Sequence, residues 1–385
     1  MTATYSPREM LARLVGFPTV SRDSNLPLID FVEDYLTAHG VRCRRVYDDE
    51  GGKANLYALV GPEAPGGVIL SGHTDVVPVD GQDWATDPFE LVEKDGNLHG
   101  RGTCDMKGFQ ALALALVPEM LAAGLKRPIQ IAMSYDEEVG CLGAPRMIAE
   151  MRETMPPADA VIVGEPSMMK VVTGHKGSVG LTTRVRGFEV HSSLMHEGVS
   201  AVMTAGRLIS WLHDRTQENI RGADPASPYH PPFTTLHVGK VQGGTAHNIT
   251  AKDCEFSTDI RVCPPERPED WYERYRAHAA EVEREIRAIR PEARIDVERR
   301  MMNPPCRPEE GGAAEALARA LTGDNSDNVV SYGTEAGQFQ ESGYSTCICG
   351  PGSIEQAHQP NEYISVAQFE AGEAFMRRLI DRLAA

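Results

Sequence analysis

The stretch Val68 to Asp75, reading VILSGHTD, constrains the rest of the chain most strongly. A short apolar run ends in a glycine, and a histidine and an aspartate follow two residues apart. Runs of this kind are buried strands of an α/β sheet, where chemistry collects at the carboxyl ends. A neutral imidazole at such an end can bind a metal ion. Asp75 can then hold the other ring nitrogen and fix the tautomer. A single His-x-Asp is equally compatible with a hydrogen-bonded structural histidine. The weight comes from repetition, because further strand ends and glycine-rich loops carry the same residue types: Asp105, Glu138, Glu165 and His358.

The spacing predicts helices over 7–15 and 26–39 and strands over 41–47 and 55–60, joined by a hairpin turn at Asp48-Asp-Glu-Gly-Gly52. A helix is expected from Phe109 to Ala123, kinked or cut short by Pro118. Strands at 128–134 and 160–163 end in Asp136-Glu137-Glu138 and Gly164-Glu165-Pro166. From Gly180 the pattern becomes β-α-β-β-α-β, the split βαβ arrangement of a ferredoxin-like unit. The α/β pattern returns after Pro304. Residues 332–336 and 350–358 read as loops, Cys347-Ile-Cys349 as strand packing, and 366–383 as a closing helix. The expected domains are therefore a catalytic one, 1–177 with 298–385, and an insertion, 178–297.

Two domains also fit a chain of 385 residues. A formal charge of -17 opposes nucleic acid and anionic membranes as partners. No apolar run reaches the ~20 residues of a membrane span, and the N-terminus lacks the pattern of a secretory signal. Eight scattered cysteines fit reduced thiols in a cytoplasmic protein.

Mixed imidazole and carboxylate donors suit zinc, cobalt or manganese rather than a structural thiolate site. Five such donors exceed what one catalytic zinc takes while keeping an open position. They suit two ions sharing one carboxylate, with room for a water between them. Successive side chains of a strand diverge. If Glu138 is a ligand, Glu137 is thereby left free to move a proton from that water to a leaving amine.

His73-Thr-Asp75, Gly100-Arg-Gly-Thr-Cys-Asp105-Met-Lys-Gly, Asp136-Glu-Glu138, Gly164-Glu165-Pro-Ser and His358-Gln-Pro-Asn-Glu362 are together similar to the signatures of the dinuclear zinc amidohydrolases. That family includes aminoacylases, glutamate carboxypeptidases and deacylases of amino-acid biosynthesis. The resemblance implies a zinc-exopeptidase-like α/β catalytic domain, its mixed sheet flanked by helices, with an inserted ferredoxin-like lid and dimerisation domain. It implies two Zn2+ per chain, replaceable by Co2+ or Mn2+: His73 and Glu165 on one, Glu138 and His358 on the other, Asp105 bridging. It further implies Asp75 as the clamp on His73, Glu137 as general base and a cis peptide after Asp105. His191 would steady the oxyanion, and Asn248, Arg261 and Thr334 would bind substrate.

Gly174-His-Lys-Gly177, Gly243-Gly-Thr-Ala-His-Asn248, Asp259-Ile-Arg261, Gly333-Thr-Glu-Ala336 and Gly350-Pro-Gly-Ser-Ile354 look most like the family's acetylornithine deacetylase branch. Cys104 departs from the small residue usual at its position. The expected activity is hydrolysis of a small N-acyl amino acid by a homodimer, N-acetylornithine first. Desuccinylation of succinyl-diaminopimelate and general N-acyl amino-acid hydrolysis are the alternatives. A non-catalytic binding protein of the same fold would show a lost ligand or base, and none is lost here.

Overall fold

A computed structural model describes residues 3–385. The chain divides into two compact units: Met1–Gly174 with Cys306–Val329 and Thr334–Ala385, and His175–Pro305 with Val330–Gly333. The first opens with α1 (Pro7–Val15), α2 (Leu26–Ala38), β1 (Arg42–Tyr47), β2 (Ala54–Val60) and β3 (Gly67–His73). Ser6 starts α1 through a capping box: its hydroxyl accepts the Glu9 N–H while the Glu9 carboxylate accepts the Ser6 N–H. The β1–β2 turn is tied by Asp48, whose carboxylate accepts the N–H groups of Gly52 and Lys53. A short hairpin, β4 (Val92–Lys94) and β5 (Asn97–His99), precedes α3 (Lys107–Ala115) and α4 (Val117–Ala122). The break between these helices falls at Leu116, with Pro118 in the first turn of α4, where its missing N–H costs nothing. Then follow β6 (Ile129–Ser134), α5 (Ala144–Thr154), β7 (Ala158–Pro166) and β8 (Val172–His175).

The second unit contains β9 (Gly177–Arg186), α6 (Ala201–Arg221), β10 (Thr235–Gly243), β11 (Asp253–Val262), α7 (Pro268–Ile289) and β12 (Arg294–Asn303). They form an antiparallel sheet in the order β10-β11-β9-β12. Alternate residues of β11 are buried, as a sheet with one covered face requires. Phe256, Trp271 and Tyr275 are at the centre of this unit's core.

The first unit resumes with α8 (Ala313–Thr322), β13 (Asn328–Val330), α9 (Ala336–Glu341), β14 (Thr346–Gly350), β15 (Tyr363–Ser365) and α10 (Val366–Ala384). Its main sheet runs β1-β2-β6-β3-β7-β14-β8-β13, with β6, β3, β7 and β14 parallel. Every residue of β3 and of α3 is buried, so both elements are enclosed on all sides. Cys347 and Cys349 are fully buried on β14. The alternation pattern missed α9, β5 and β15, since six- and three-residue elements are too short to show a period, while the turn at 87–91 leads into β4 as a short strand.

Candidate metal centre

Four parallel strands deliver the site. His73 is the last residue of β3, Glu165 lies at the end of β7, Glu137 and Glu138 follow β6, and His358 lies beyond β14. Asp105 sits in the glycine-rich loop leading into α3, and its peptide bond to Met106 is cis. Asp105 faces both histidines: one carboxylate oxygen is 3.0 Å from His73 Nε2, the other 3.4 Å from His358 Nε2. Glu165 stands 3.8 Å from His73 Nε2, and Glu138 2.9 Å from His358 Nε2.

The ring of His73 is held by the backbone carbonyl of Asp75 rather than by its carboxylate. His73 Nδ1–H donates to the Asp75 carbonyl at 2.9 Å, while the Asp75 carboxylate stands 3.7 Å away. That carboxylate is occupied elsewhere. It accepts the Ser21 hydroxyl at 2.7 Å and the N–H groups of Glu137 and Glu138 at 3.1 and 3.3 Å. Asp75 therefore anchors the Glu137-Glu138 loop to the end of β3. The expected divergence of Glu137 and Glu138 does not hold in that loop. Glu137 and Glu138 lie past the end of β6, and Asp136 has φ of +56°, so strand alternation does not apply. Both carboxylates reach His73: ligand atoms of His73, Glu137 and Glu165 form one cluster, and those of His73, Asp105 and Glu138 another, each within 4.8 Å.

The charges are poorly balanced by protein groups alone. Burial pushes the Glu137 carboxyl up to about 8 and that of Glu138 up to about 7, with neighbouring carboxylates adding to the rise. Burial likewise raises Glu165 well above the usual range. Burial would lower His73, but the hydrogen bond to Asp105 and the nearby carboxylates outweigh it and raise the ring. Hydrogen bonds to Asp105 and Glu138 raise His358 to about 10. With its Nδ1–H committed, His73 Nε2 carries a lone pair facing carboxylate oxygens, so a proton or a metal cation must lie between them. Glu138 Oε1 is buried and has no hydrogen-bond partner. These observations fit His73, Asp105, Glu138, Glu165 and His358 to two metal cations, with Asp105 divided between the histidines.

Of the remaining predicted residues, Thr334 is buried in the first unit, and its hydroxyl accepts the Ala336 N–H at the start of α9. The others lie in the second unit. His191 is exposed, and its Nδ1 lies 2.8 Å from the Ser193 hydroxyl and 3.3 Å from the Ser193 N–H, which leaves Nε2 without a partner on that side. It pairs across a β-bridge with Ile249, beside exposed Asn248. Arg261 Nε donates to Asp259 at 3.0 Å.

Three side chains near the centre were given no role from the sequence, although Glu335 and Glu362 lie within the motifs quoted above. Cys141 donates its thiol to Glu137 at 3.1 Å. Glu335 is buried and accepts the hydroxyls of Ser71 and Ser134 at 2.5 and 2.7 Å. Glu362 is buried and accepts from Arg101 and from the backbone of the Asp105 loop. Glu362 closes the His358-Gln-Pro-Asn-Glu362 motif, and Arg101, a lone cation among glycines, is the partner its buried carboxylate needs.

Among known proteins, the description "Peptidase family M20/M25/M40" matches residues 69–382. The chain is 36% identical over 378 residues to the acetylornithine deacetylase of Myxococcus xanthus, covering 97% of this chain and 96% of that protein. It is 33% identical over 380 residues to the acetylornithine deacetylase of Pasteurella multocida, at the same coverage of both. The M20 metallo-carboxypeptidase of Sulfolobus solfataricus superposes with a TM-score of 0.76 at 17% identity, covering 99% of each chain. A dinuclear metal-binding M20 peptidase from Bacillus subtilis superposes with a TM-score of 0.60 at 16% identity, covering 98% of this chain and 97% of that one. The chain belongs to peptidase family M20/M25/M40 and is a metal-dependent amide hydrolase of that family.

Proposed function

We propose that the protein hydrolyses N-acetyl-L-ornithine to L-ornithine and acetate. The observation that carries the chemistry is the division of Asp105 between His73 and His358. Similarity over 97% of the chain to acetylornithine deacetylases supports this choice of substrate. Two Zn2+, replaceable by Co2+ or Mn2+, would be held by His73 with Glu165 and by Glu138 with His358, sharing Asp105, and would supply Lewis acidity toward an amide carbonyl and an acidified water. Glu137 accepts a proton from the attacking water and returns it to the departing amine. Its Oε1 is held by the Cys141 thiol and its loop by Asp75, so the base has one orientation.

His191, its Nδ1 side engaged by Ser193, would donate from Nε2 to a developing oxyanion. Asn248 and Arg261 are assigned to substrate, Arg261 by bidentate contact with the carboxylate, and Thr334 to the wall of the pocket. The second unit, on this reading, is a lid through which two copies associate. β10 is an edge strand whose Val241 is 54% exposed, and α6 leaves Met203 69% exposed, both features of a surface that pairs. The eight free thiols suit a reducing, cytoplasmic setting. No helix among the described residues is long and apolar enough to cross a membrane.

The test compares kcat/KM for acetylornithine, acetylmethionine and succinyl-diaminopimelate in wild type and Glu137→Gln, alongside metal analysis. Acetylornithine should be the best substrate, chelation should abolish turnover, and Glu137→Gln should lose about 10²–10⁴-fold in rate with its metal retained. Preference for the succinyl substrate would move the protein to the desuccinylases. Metal loss in Glu137→Gln would make Glu137 a ligand, as its clustering with His73 and Glu165 allows.

A further inference from the structure

Asp105 and His358 come from segments far apart in sequence, yet both must be placed within tenths of an ångström to share cations. One buried carboxylate joins their loops. Glu362 is 1% exposed and accepts four hydrogen bonds, which saturates it. Arg101 Nη1 donates at 2.8 Å and the Gly102 N–H at 2.9 Å to one oxygen; the N–H groups of Cys104 and Asp105 donate at 2.9 and 3.0 Å to the other. The loop curls around the carboxylate because Gly102 has φ of +84°, where a Cβ would stand 2.9 Å from Val76.

The second half of the connection runs through Arg101 and Gln82. Arg101 Nη2 donates to the Gln82 side-chain oxygen at 2.5 Å, and Gln82 Nε2 donates to the backbone carbonyl of His358 at 2.9 Å. Arg101 Nη1 also reaches the Gln359 carbonyl at 3.3 Å. His358 has φ of +64°, a conformation a non-glycine residue keeps only when its surroundings impose it. The guanidinium lies against the Trp84 ring at 5.0 Å, and its fork spans both loops in a way an ammonium could not.

We propose that Glu362, Arg101 and Gln82 form a positioning strap that fixes Asp105 relative to His358 and thereby sets the affinity of the centre for divalent cations. The inference rests on the reading of Asp105 and His358 as metal ligands. It assigns none of the three to the reacting atoms. Their effect passes through the ligand loops, as outer partners of metal ligands commonly act.

Metal-depleted wild type, Glu362→Gln, Arg101→Lys, Gln82→Ala and Asp105→Asn are titrated with Co2+, following the visible absorption bands, and with Zn2+ against a chromophoric chelator. A glutamine at 362 turns N–H groups toward backbone N–H donors, so Glu362→Gln should weaken cation binding about 10–100-fold and alter the Co2+ bands. Arg101→Lys should fail to restore wild-type affinity. Gln82→Ala, at a half-buried position, should weaken binding at least roughly five-fold, because it removes both the hydrogen bond to the His358 carbonyl and the one accepted from Arg101. It decides the matter if Glu362→Gln does not fold. Wild-type affinities and bands in Gln82→Ala and Arg101→Lys, with binding lost in Asp105→Asn, would overturn the strap alone. Unchanged binding in Asp105→Asn would instead overturn the ligand reading beneath it.

Discussion

His175 ends β8 with no exposed surface, and its ring nitrogen Nδ1 lies 2.9 Å from the Lys176 carbonyl. Burial lowers its pKa from 6.5 to about 4, although the backbone hydrogen bond opposes the shift. The unfolded chain therefore binds a proton between pH 6.5 and about 4 that the folded chain refuses. The stability is fully present above pH 6.5 and drains away as pH falls toward 4, by about 3 kcal/mol at most. Urea unfolding of wild type and His175→Gln at pH 7 and pH 4.5 should show the larger acid loss in wild type. Equal losses would mean that His175 protonates freely in the fold. At this scale the sequence marks His73, Asp105, Glu138, Glu165 and His358 as candidate ligands, because each occupies a strand end or a glycine-rich loop, and the structure brings them close together. Their hydrogen-bond partners were not legible in the sequence. The Asp75 carboxylate had two possible hosts, the ring of His73 and the Glu137-Glu138 backbone, and only the packed loop selects the second.

Between elements, α3 meets β7 at one close point. A Cβ on Gly164 would stand 2.1 Å from the Phe109 ring, so the helix approaches the strand only because that residue is glycine. Gly164→Ala should cost at least about 1–3 kcal/mol by overpacking, and displacing Glu165 should weaken cation binding as well. In a double-mutant cycle with Phe109→Leu, the pair should be less damaging than the sum of its parts by about 1 kcal/mol or more. Strictly additive effects in the unfolding midpoints would place the strain elsewhere. Helix and strand types followed from period, and the break at Leu116 from Pro118, which can sit only in the first turn of the helix that follows. The Glu137-Glu138 geometry did not follow from period, because the chain has left the extended conformation by Asp136.

For the whole molecule, we propose that association through the second unit brings His191 to the centre of the other copy, which makes a prediction no single chain can show. A His191→Ala chain and a Glu137→Ala chain, carrying different tags, are purified as a mixed dimer. Each homodimer should be nearly inactive. If His191 acts in trans, one centre of the mixed dimer combines an intact Glu137 with an intact His191, and about half the activity per dimer returns. A silent mixed dimer, verified by mass, would place His191 in its own chain's site or outside the reaction.

The order of apolar runs, turns and strand-end carboxylates by itself determined the α/β character, the βαββαβ insert and the residues available to hold cations, because those features depend on local periodicity and backbone chemistry. Only the tertiary structure decided which groups meet. Glu362 and Arg101 are 261 positions apart, and Glu362 and the Asp105 N–H 257. No local pattern distinguishes such a glutamate from one facing solvent. The choice is made when burial removes water as a competing partner and leaves the carboxylate to four protein donors.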